Sequence, residues 1–328
     1  MTRGLGFFLL TCALLAAVAA PLVAPREMDS HFGALLNAPP TVPHVVDAGG
    51  AWHAPFIYRW RLVSQLEQRY EEDRSTRVPL AWMSGGHLVQ SSDEHTAPLL
   101  LLGADSYGRD VFARILFGAR MSLGLAVTAA FCAMLIGASI GGFAGFIGGV
   151  LDEVLMRGAD FVMVLPAIYV ALALRAVLPL VLTAAEVFAL LASIFAIVGA
   201  PFIARGVRAI VRSERRLDYA VAAEALGASD ARLLFRHLLP SARGYIAVQI
   251  TLLIPAFIVA EATLSYVGLG FPDPVASWGT MLHDASSNIR VFADFPWLLS
   301  PAAAMFLVVL GVNLVLQKGR PGAVFDSV

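Results

Sequence analysis

The sequence predicts an all-α integral membrane protein of about six transmembrane helices, with a long external insert after the first. Three observations carry that prediction. Of the 328 residues, 58% are hydrophobic and only 14% charged, well above the apolar share of an ordinary soluble domain. The charges are also bunched: Arg26 to Arg114 holds 8 basic and 11 acidic residues, 19 of the 47 in the chain. The remainder is poor enough in charge for lipid, and it contains runs close to the roughly 20 apolar residues that cross a bilayer as a helix.

Those runs fall at about 5–24, 119–147, 158–178, 184–205, 245–267 and 297–316. In the first, Arg3, a short apolar stretch and Ala17-Val18-Ala19 also fit a cleavable signal. The apolar run continues to Ala24, which favours a retained helix, and both readings export residues 25–118. The expected domains are an N-terminal helix at 1–24, the insert and an interfacial helix at 25–118, a five-helix bundle at 119–316 and a tail at 317–328. Orientation follows from the Arg/Lys asymmetry of short loops. The loop 206–243 carries Arg208, Arg212, Arg215, Arg216, Arg232, Arg236 and Arg243, and the tail carries Lys318 and Arg320. The loop 268–296 has Arg290 against Asp273, Asp284 and Asp294. Loop 206–243 and the tail are thus placed in the cytoplasm, and six spans put both termini there.

Within the insert, APPTVPHVVDAGG at 38–50 reads as loop. IYRWRLVSQLEQRYEEDRSTR at 57–77 reads as a solvated surface helix, with Ile57, Leu62, Leu66 and Tyr70 in an apolar stripe. From 103, Val111, Phe112, Ile115 and Leu116 make an amphipathic interfacial helix leading into the second span. In that span Gly137, Gly141 and Gly145 recur every fourth residue, a stripe that lets another helix approach closely.

Several function classes lose support. A net charge of −1 gives no basic excess for nucleic acid. Cys12 and Cys132 stand in apolar runs and read as buried free thiols. The seven histidines form no H-E-x-x-H, and no G-x-S-x-G or G-x-x-x-x-G-K-[ST] occurs. No metal, cofactor or catalytic group is expected in this chain, and an intramembrane hydrolase lacks its nucleophile.

The most informative loop is LDYAVAAEALGASDARLLFRHLLP at 217–240. Asp218 is a candidate N-cap, Ala220 to Leu226 is strongly helix-forming, and Gly227 suits a left-handed helix end. Ser229 would cap a second helix with Leu233, Leu234 and Leu238 on its apolar side, closed by Pro240. Ala222, Ala223 and Leu226 then form a knob that another protein could receive; the alternative is a loop packed on its own bundle.

This segment resembles the loop of ABC importer permeases that docks on their ATPase subunits, written E-A-A, three residues, Gly, and later L-P. Ala222, Ala223, Gly227, Leu239 and Pro240 match, while Val221 stands where the family usually has Glu, removing a capping-box partner for Asp218. GADSYGRDVFARILFGARMSL at 103–123 resembles the G-T-D-x-x-G-R-D segment of dipeptide, oligopeptide and nickel permeases, with Ala104 in place of Thr. LMRGADFVMVLPAIYVALAL at 155–174 is similar to their third span. EATLSYVGLGFPDPVASWGTML at 261–282 is similar to their E-x-x-L-S-F-L-G-L-G…P-S-W-G-x-M-L signature. The combination is typical of the second, C-type permease of the pair, and it extends over about 100–318.

The resemblance implies a type I importer permease in a bacterial inner membrane. It implies a heterodimer with a second permease, two ATPase subunits that use ATP and magnesium, and an external solute-binding protein. It assigns ATPase coupling to Ala222, Ala223, Glu224, Leu226, Gly227, Ala228, Ser229 and Asp230, with Leu239 and Pro240 closing the loop. The cargo class is peptide or nickel, with an opine or glycan fragment as further options. Glu261, a carboxylate inside the fifth span, is either a pathway group or a buried structural one. Arg175 and Glu186 are expected to pair or snorkel. Pro166 and Pro255 are candidate kinks. Gly268, Gly270, Pro272 and Trp278 mark an external re-entry with Trp278 at headgroup level. The rival class is a secondary transporter driven by an ion gradient, for which the chain offers mainly Glu261 and no obvious inverted repeat.

Overall fold

The computed structural model describes residues 2–47, 49–166, 169, 170, 173, 182–287 and 289–316. The chain forms two compact units, one of Met1–Ser122 with Ser265–Val328 and one of Leu123–Leu264.

In the first unit, α1 (Thr2–Val18) and the single turn α2 (Ala20–Val23) make up the N-terminal helix. It packs along α9 (Ser300–Leu316), which follows a 3-10 turn at Pro296–Leu299. The two backbones nearly touch, since a Cβ on Gly6 would lie 2.7 Å from the carbonyl oxygen of Gly311. Cys12 is exposed and Cys132, in the second unit, is half-buried. Neither thiol is therefore buried as expected.

Between α2 and the next long helix, the surface helix expected at 57–77 is replaced by strands. A four-stranded antiparallel sheet runs in the order β1 (His44–Val46), β2 (Trp52–Ser64), β3 (Arg69–Ser84) and β4 (His87–Ser91). β1 begins inside the stretch read as loop. Phe56, Ile57 and Tyr58 are buried in succession, so β2 is covered on both faces there. Ile57 packs with Val78, Ala97 and Leu99, while Trp60 and Tyr70 pack on Leu35, Ala38, Leu100 and Ala104. Burying these aromatics contributes about 2 kcal/mol each, against which the charged side chains lose little by staying in water.

α3 (Val111–Ile147) is one continuous helix of 37 residues, so the expected interfacial helix and second span are not separate elements. In the second unit it is followed by α4 (Gly149–Val164) and α5 (Ala184–Glu214). Of the third expected span, 158–178, the first residues belong to α4, which ends at Val164, while 167, 168, 171, 172 and 174–178, Arg175 among them, lie outside the described residues. Glu186 closes a capping box at the start of α5, its carboxylate accepting from the Thr183 backbone N–H at 2.7 Å.

The glycine stripe does what its spacing predicts. A Cβ on Gly137, Gly141 or Gly145 would come 2.5, 2.3 or 2.6 Å from the carbonyl oxygens of Ala200, Ala204 and Arg208 on α5. The α4–α5 contact is ionic as well, with Arg208 gripping buried Asp152 through Nε and a terminal nitrogen. On its other side α5 meets α7 (Arg243–Leu264) through stacked Phe195 and Phe257, centroids 5.2 Å apart.

Among the described residues, four helical segments are long and apolar enough to cross a membrane: Val111–Ile147, Ala184–Glu214, Asp230–Leu269 and Pro296–Leu316, with Arg3–Val18 a shorter apolar helix. Pro255 lies inside α7, while Pro166 follows the end of α4 and so bends no helix there.

Gly141→Ala should destabilise the protein, because overpacking a backbone contact costs about 1–3 kcal/mol. Gly124→Ala, on the same helix with no heavy atom within 4 Å of the added Cβ, should be neutral or stabilising. Thermal unfolding of the two variants in detergent checks the difference.

Candidate functional site

The segment 217–240 folds as two short helical pieces meeting at a glycine. α6 (Asp218–Ala225) starts one residue earlier than expected, with Leu217 as N-cap and no side-chain cap. Asp218 sits instead in the first turn, where its charge suits the helix dipole. Counted from Leu217, the third helical position is buried Ala220 and not Val221. A glutamate at 221 would therefore not close a capping box, and Val221 removes none. Tyr219 anchors the start by donating its hydroxyl to Glu214 at 2.6 Å.

The far end is a Schellman turn. Gly227 takes φ 85, its N–H donates to the carbonyl of Glu224 at 2.9 Å, and the N–H of Ala228 donates to that of Ala223 at 3.0 Å. This pair of bonds satisfies carbonyls that a helix end leaves open, and it needs a residue at positive φ. Ser229 then caps the next piece, accepting from the Arg232 N–H at 3.4 Å. Asp230–Arg232 runs into a π-helical stretch, Leu233–Leu238, then a 3-10 turn, Leu239–Ala242, and on into α7. Pro240 thus does not close the helix. Placed at the second residue of the 3-10 turn, it needs no helical hydrogen bond of its own.

Leu233, Leu234 and Leu238 are buried as expected, Phe235 meets Phe143 of α3 edge-on at 6.4 Å, and Leu239 lies against Gly142. The opposite side is bare. Val221, Ala222, Glu224, Gly227, Ser229 and Asp230 are exposed, Ala223 and Ala228 are half-buried, and Leu226 is 90% exposed. Ala222 and Leu226, one turn apart, share a face. A leucine left this open on a rigid turn backed by a packed leucine row makes a small apolar knob. It offers shape and apolar surface to a partner, not chemistry.

Glu261 of α7 is 1% exposed, so its carboxyl is enclosed by protein. Among the described residues no His, Cys, Asp or Glu cluster could hold a metal ion.

In the first unit the segment 103–110 forms a buried ionic centre that motif reading did not reveal. Gly103 and Gly108 at φ 74 and 76 bend the chain, and Asp105 accepts from the backbone N–H groups of Tyr107 and Arg109 at 2.9 Å each. The buried Arg109 guanidinium donates to Asp105 at 2.6 Å, to Asp273 at 3.0 Å and to Asp284 at 2.6 Å. Arg114, also buried, lies 3.8 Å from Asp284 and 3.9 Å from Asp105. Asp110 caps α3, accepting from Phe112 and Ala113, and stands 3.5 Å from Arg26. Burial pushes Asp110 up to about 6, against the pull of Arg26. It raises Asp284 as well, despite Arg109. The signal for this centre was present as two charged motifs, G-R-D at 108–110 and P-D-P at 272–274, but spacing alone does not pair residues so far apart.

The same packing corrects Trp278. It is buried, not at an interface: its ring N–H donates to the carbonyl of Ile115 at 3.1 Å and its backbone N–H to Ser122 at 3.1 Å. The indole fills the contact between α3 and α8 (Trp278–Ser286), the helix capped by Ser277.

Both constellations lie on a helical frame with apolar spans, and comparison with known proteins bears on what such a frame is. A model of the binding-protein-dependent transport system inner membrane component matches residues 137–317. The chain belongs to this family. An oligopeptide transport system permease of Bacillus subtilis strain 168 is 41% identical over 214 residues, covering 65% of this chain and 67% of that protein. A dipeptide transport system permease of Alkalihalophilus pseudofirmus and a glutathione transport system permease of Pectobacterium atrosepticum are 37% and 36% identical over 214 residues, 65% of this chain and 67% and 68% of theirs. The chain is thus an inner membrane component of a transport system, similar to C-type peptide permeases. The family match begins beyond the β-sheet and contains the turn at Gly227.

Arg109→Gln would strand buried Asp105 and half-buried Asp284, and breaking a buried pair costs about 3–5 kcal/mol, so its unfolding midpoint should drop sharply. The pH dependence has a definite sign. A carboxyl held above its ordinary value binds its proton more tightly in the folded state, so its contribution is complete below about pH 4 and is lost as pH rises through about 6. Unfolding scans from pH 4 to 7.5 should show part of the wild-type decline absent in Asp110→Asn.

Proposed function

We propose that this chain is the C-type permease subunit of an ATP-driven ABC importer, forming half of a translocation pathway for peptides or a related small solute, nickel included. A second permease completes the pathway. Two ATPase subunits, which bind ATP and magnesium, dock on the turn at 217–240, and an external solute-binding protein delivers cargo. Both termini and the turn lie in the cytoplasm, residues 25–118 lie outside, and the chain itself performs no covalent chemistry.

The observation that carries this reading is the Gly227 turn. Its backbone is locked by paired hydrogen bonds, its inner face is a buried leucine row, and its outer face leaves Ala222 and Leu226 bare. A surface loop with no partner gains nothing from so exposed an apolar knob on so fixed a turn. The residues that match the family's docking loop are those that build it. The relatives' names favour peptides as cargo.

The mechanism follows from two-state coupling. Nucleotide-bound ATPases that close on each other favour one arrangement of the paired turns, and a ligand shifts an equilibrium only by its differential contacts with the two states. The permease contributes a rigid coupling element and supplies no energy of its own.

Gly227→Val places a β-branched residue at positive φ, a cost of at least roughly 1–2 kcal/mol at the turn. The expected result is full-length protein in the membrane with uptake lost and ATP hydrolysis no longer stimulated by cargo. Affinity purification of the tagged chain, expressed with its neighbouring genes, should recover a second permease and ATPases, and Leu226→Asp should release the ATPases. Unchanged uptake in both variants, or uptake that persists without ATP and collapses with the proton gradient, would overturn the reading in favour of an ion-driven carrier.

A further inference from the structure

The segment from Val78 to Ser92 contains no Asp, Glu, Lys or Arg, although it lies in the most charge-dense part of the chain. It forms the β3–β4 hairpin. Leu80, Ala81, Trp82 and Ser84 pair with Ser91, Gln90, Val89 and His87 around Gly85-Gly86, both at positive φ, a two-residue turn that matches strand twist. Leu80 and Val89 pack against the sheet's core, so the inner half of the hairpin is accounted for. The tip is not. Trp82 is 60% and Met83 73% exposed, with Leu88 also exposed. Met83 holds φ 51, a left-handed conformation that is strained for an ordinary side chain. Among the described residues little covers it in return.

The position of this tip is defined. His87 donates Nδ1–H to the carbonyl oxygen of Ala24 at 2.7 Å, one residue past the end of α2. Trp82 pairs with Val89, two residues along the strand from His87, so it stands within about 7 Å of strand length of that bond. The helix it adjoins, α1 with α2, exposes Phe7, Phe8, Leu14, Leu15, Val18 and Leu22, the apolar surface of a helix that meets lipid. The bare hairpin tip therefore continues that surface beyond the helix end, where the hydrocarbon gives way to headgroups. A tryptophan with apolar neighbours and no full charge is the side-chain set that partitions to that depth. Glu27 and Asp29, which share a recess with His87, belong to the polar side of the same boundary.

We propose that the β3–β4 hairpin is a membrane-interface anchor: Trp82, Met83 and Leu88 insert into the outer leaflet beside the first helix and hold the sheet against the bilayer. The opposite end of the sheet differs. Leu66, at the β2–β3 turn, is 91% exposed but stands between Gln65 and Glu67, and Arg290 donates to the carbonyl of Glu67 at 3.1 Å. The anchor requires that the helices cross the membrane and that residues 25–118 lie outside, and it holds whichever solute is carried.

The test uses the full chain with its co-purified partners, in nanodiscs of phosphatidylethanolamine and phosphatidylglycerol. With Cys12 and Cys132 replaced by serine, Met83→Cys and Leu66→Cys each carry a spin label. The Met83 site should relax several-fold more with oxygen than with a water-soluble nickel chelate, and the Leu66 site should show the reverse. Independently, brominated lipids should quench a tryptophan component that Trp82→Phe removes. Equal nickel access at both sites would overturn the anchor in favour of a solvent-facing or soluble-partner surface. A Met83 site shielded from both reagents in the assembly, yet nickel-accessible in the lone chain, would assign the tip to the second permease and overturn it as well.

Discussion

A guanidinium buried as deeply as that of Arg109 must be matched by charge and by hydrogen bonds. The groups that match it come from 4 positions before it and from 164 and 175 positions after it. No local element could supply them. The first unit is made of two stretches of chain separated by the whole of the second, and Arg109 is where those stretches become mutually dependent. Its partners fix the approach of the 272–274 corner and of α8, and with α8 in place Trp278 has only one site to enter, against Ile115 and Ser122. The motifs G-R-D and P-D-P are therefore two halves of one structural device, and the ring of carboxylates explains why Arg109 could not be replaced by an apolar residue alone.

The second unit solves a different problem, that of bringing helices together where no hydrophobic gain separates lipid from side chain. Its answer is close backbone approach. Gly137, Gly141 and Gly145 let α3 lie on the carbonyls of α5, where dispersion and weak hydrogen bonding act at the shortest range. Around that axis the ion pair of Asp152 with Arg208 and the stack of Phe195 on Phe257 fix α4 and α7.

Much of this was legible in the residues. Helix runs, the glycine stripe, the buried row Leu233, Leu234 and Leu238 and the turn at Gly227 each depend on local spacing, which a single sequence displays. The sheet was not legible. Its central turn, Gln65–Gln68, contains no glycine, proline or asparagine, and Gln68 itself takes the left-handed φ of 52, so nothing marked a reversal between β2 and β3. The strand pattern was blurred too, because Phe56, Ile57 and Tyr58 are buried one after another and destroy the alternation that identifies a half-buried strand. Ile57, Leu62, Leu66 and Tyr70 then imitated a helical stripe. At Asp218 the error was of one residue: an acidic side chain suits both the cap and the first turn, and only the backbone geometry separates the two. Trp278 and Arg109 were missed for a common reason, since their partners are distant in sequence and composition carries no record of pairing.

The two kinds of legibility bear on how a coupling element can work. A turn that is to transmit displacement must be stiff at its tip and continuous with the bundle behind it. Stiffness here is local: the Schellman bonds and the Ser229 cap determine the tip within about a dozen residues, which is why the motif survives as a recognisable string. Continuity is not local. It runs from Phe235 and Leu239 to Phe143 and Gly142 of α3, and from α3 to α5 through backbone contacts too close to admit even an added Cβ. Because packed interfaces yield in discrete steps and do not deform smoothly, a displacement imposed at Leu226 would be carried by α3 and α5 together. Under the proposed coupling role, the glycine stripe would remove slack from the bundle and the glycine turn would give that bundle a fixed point on which force could act.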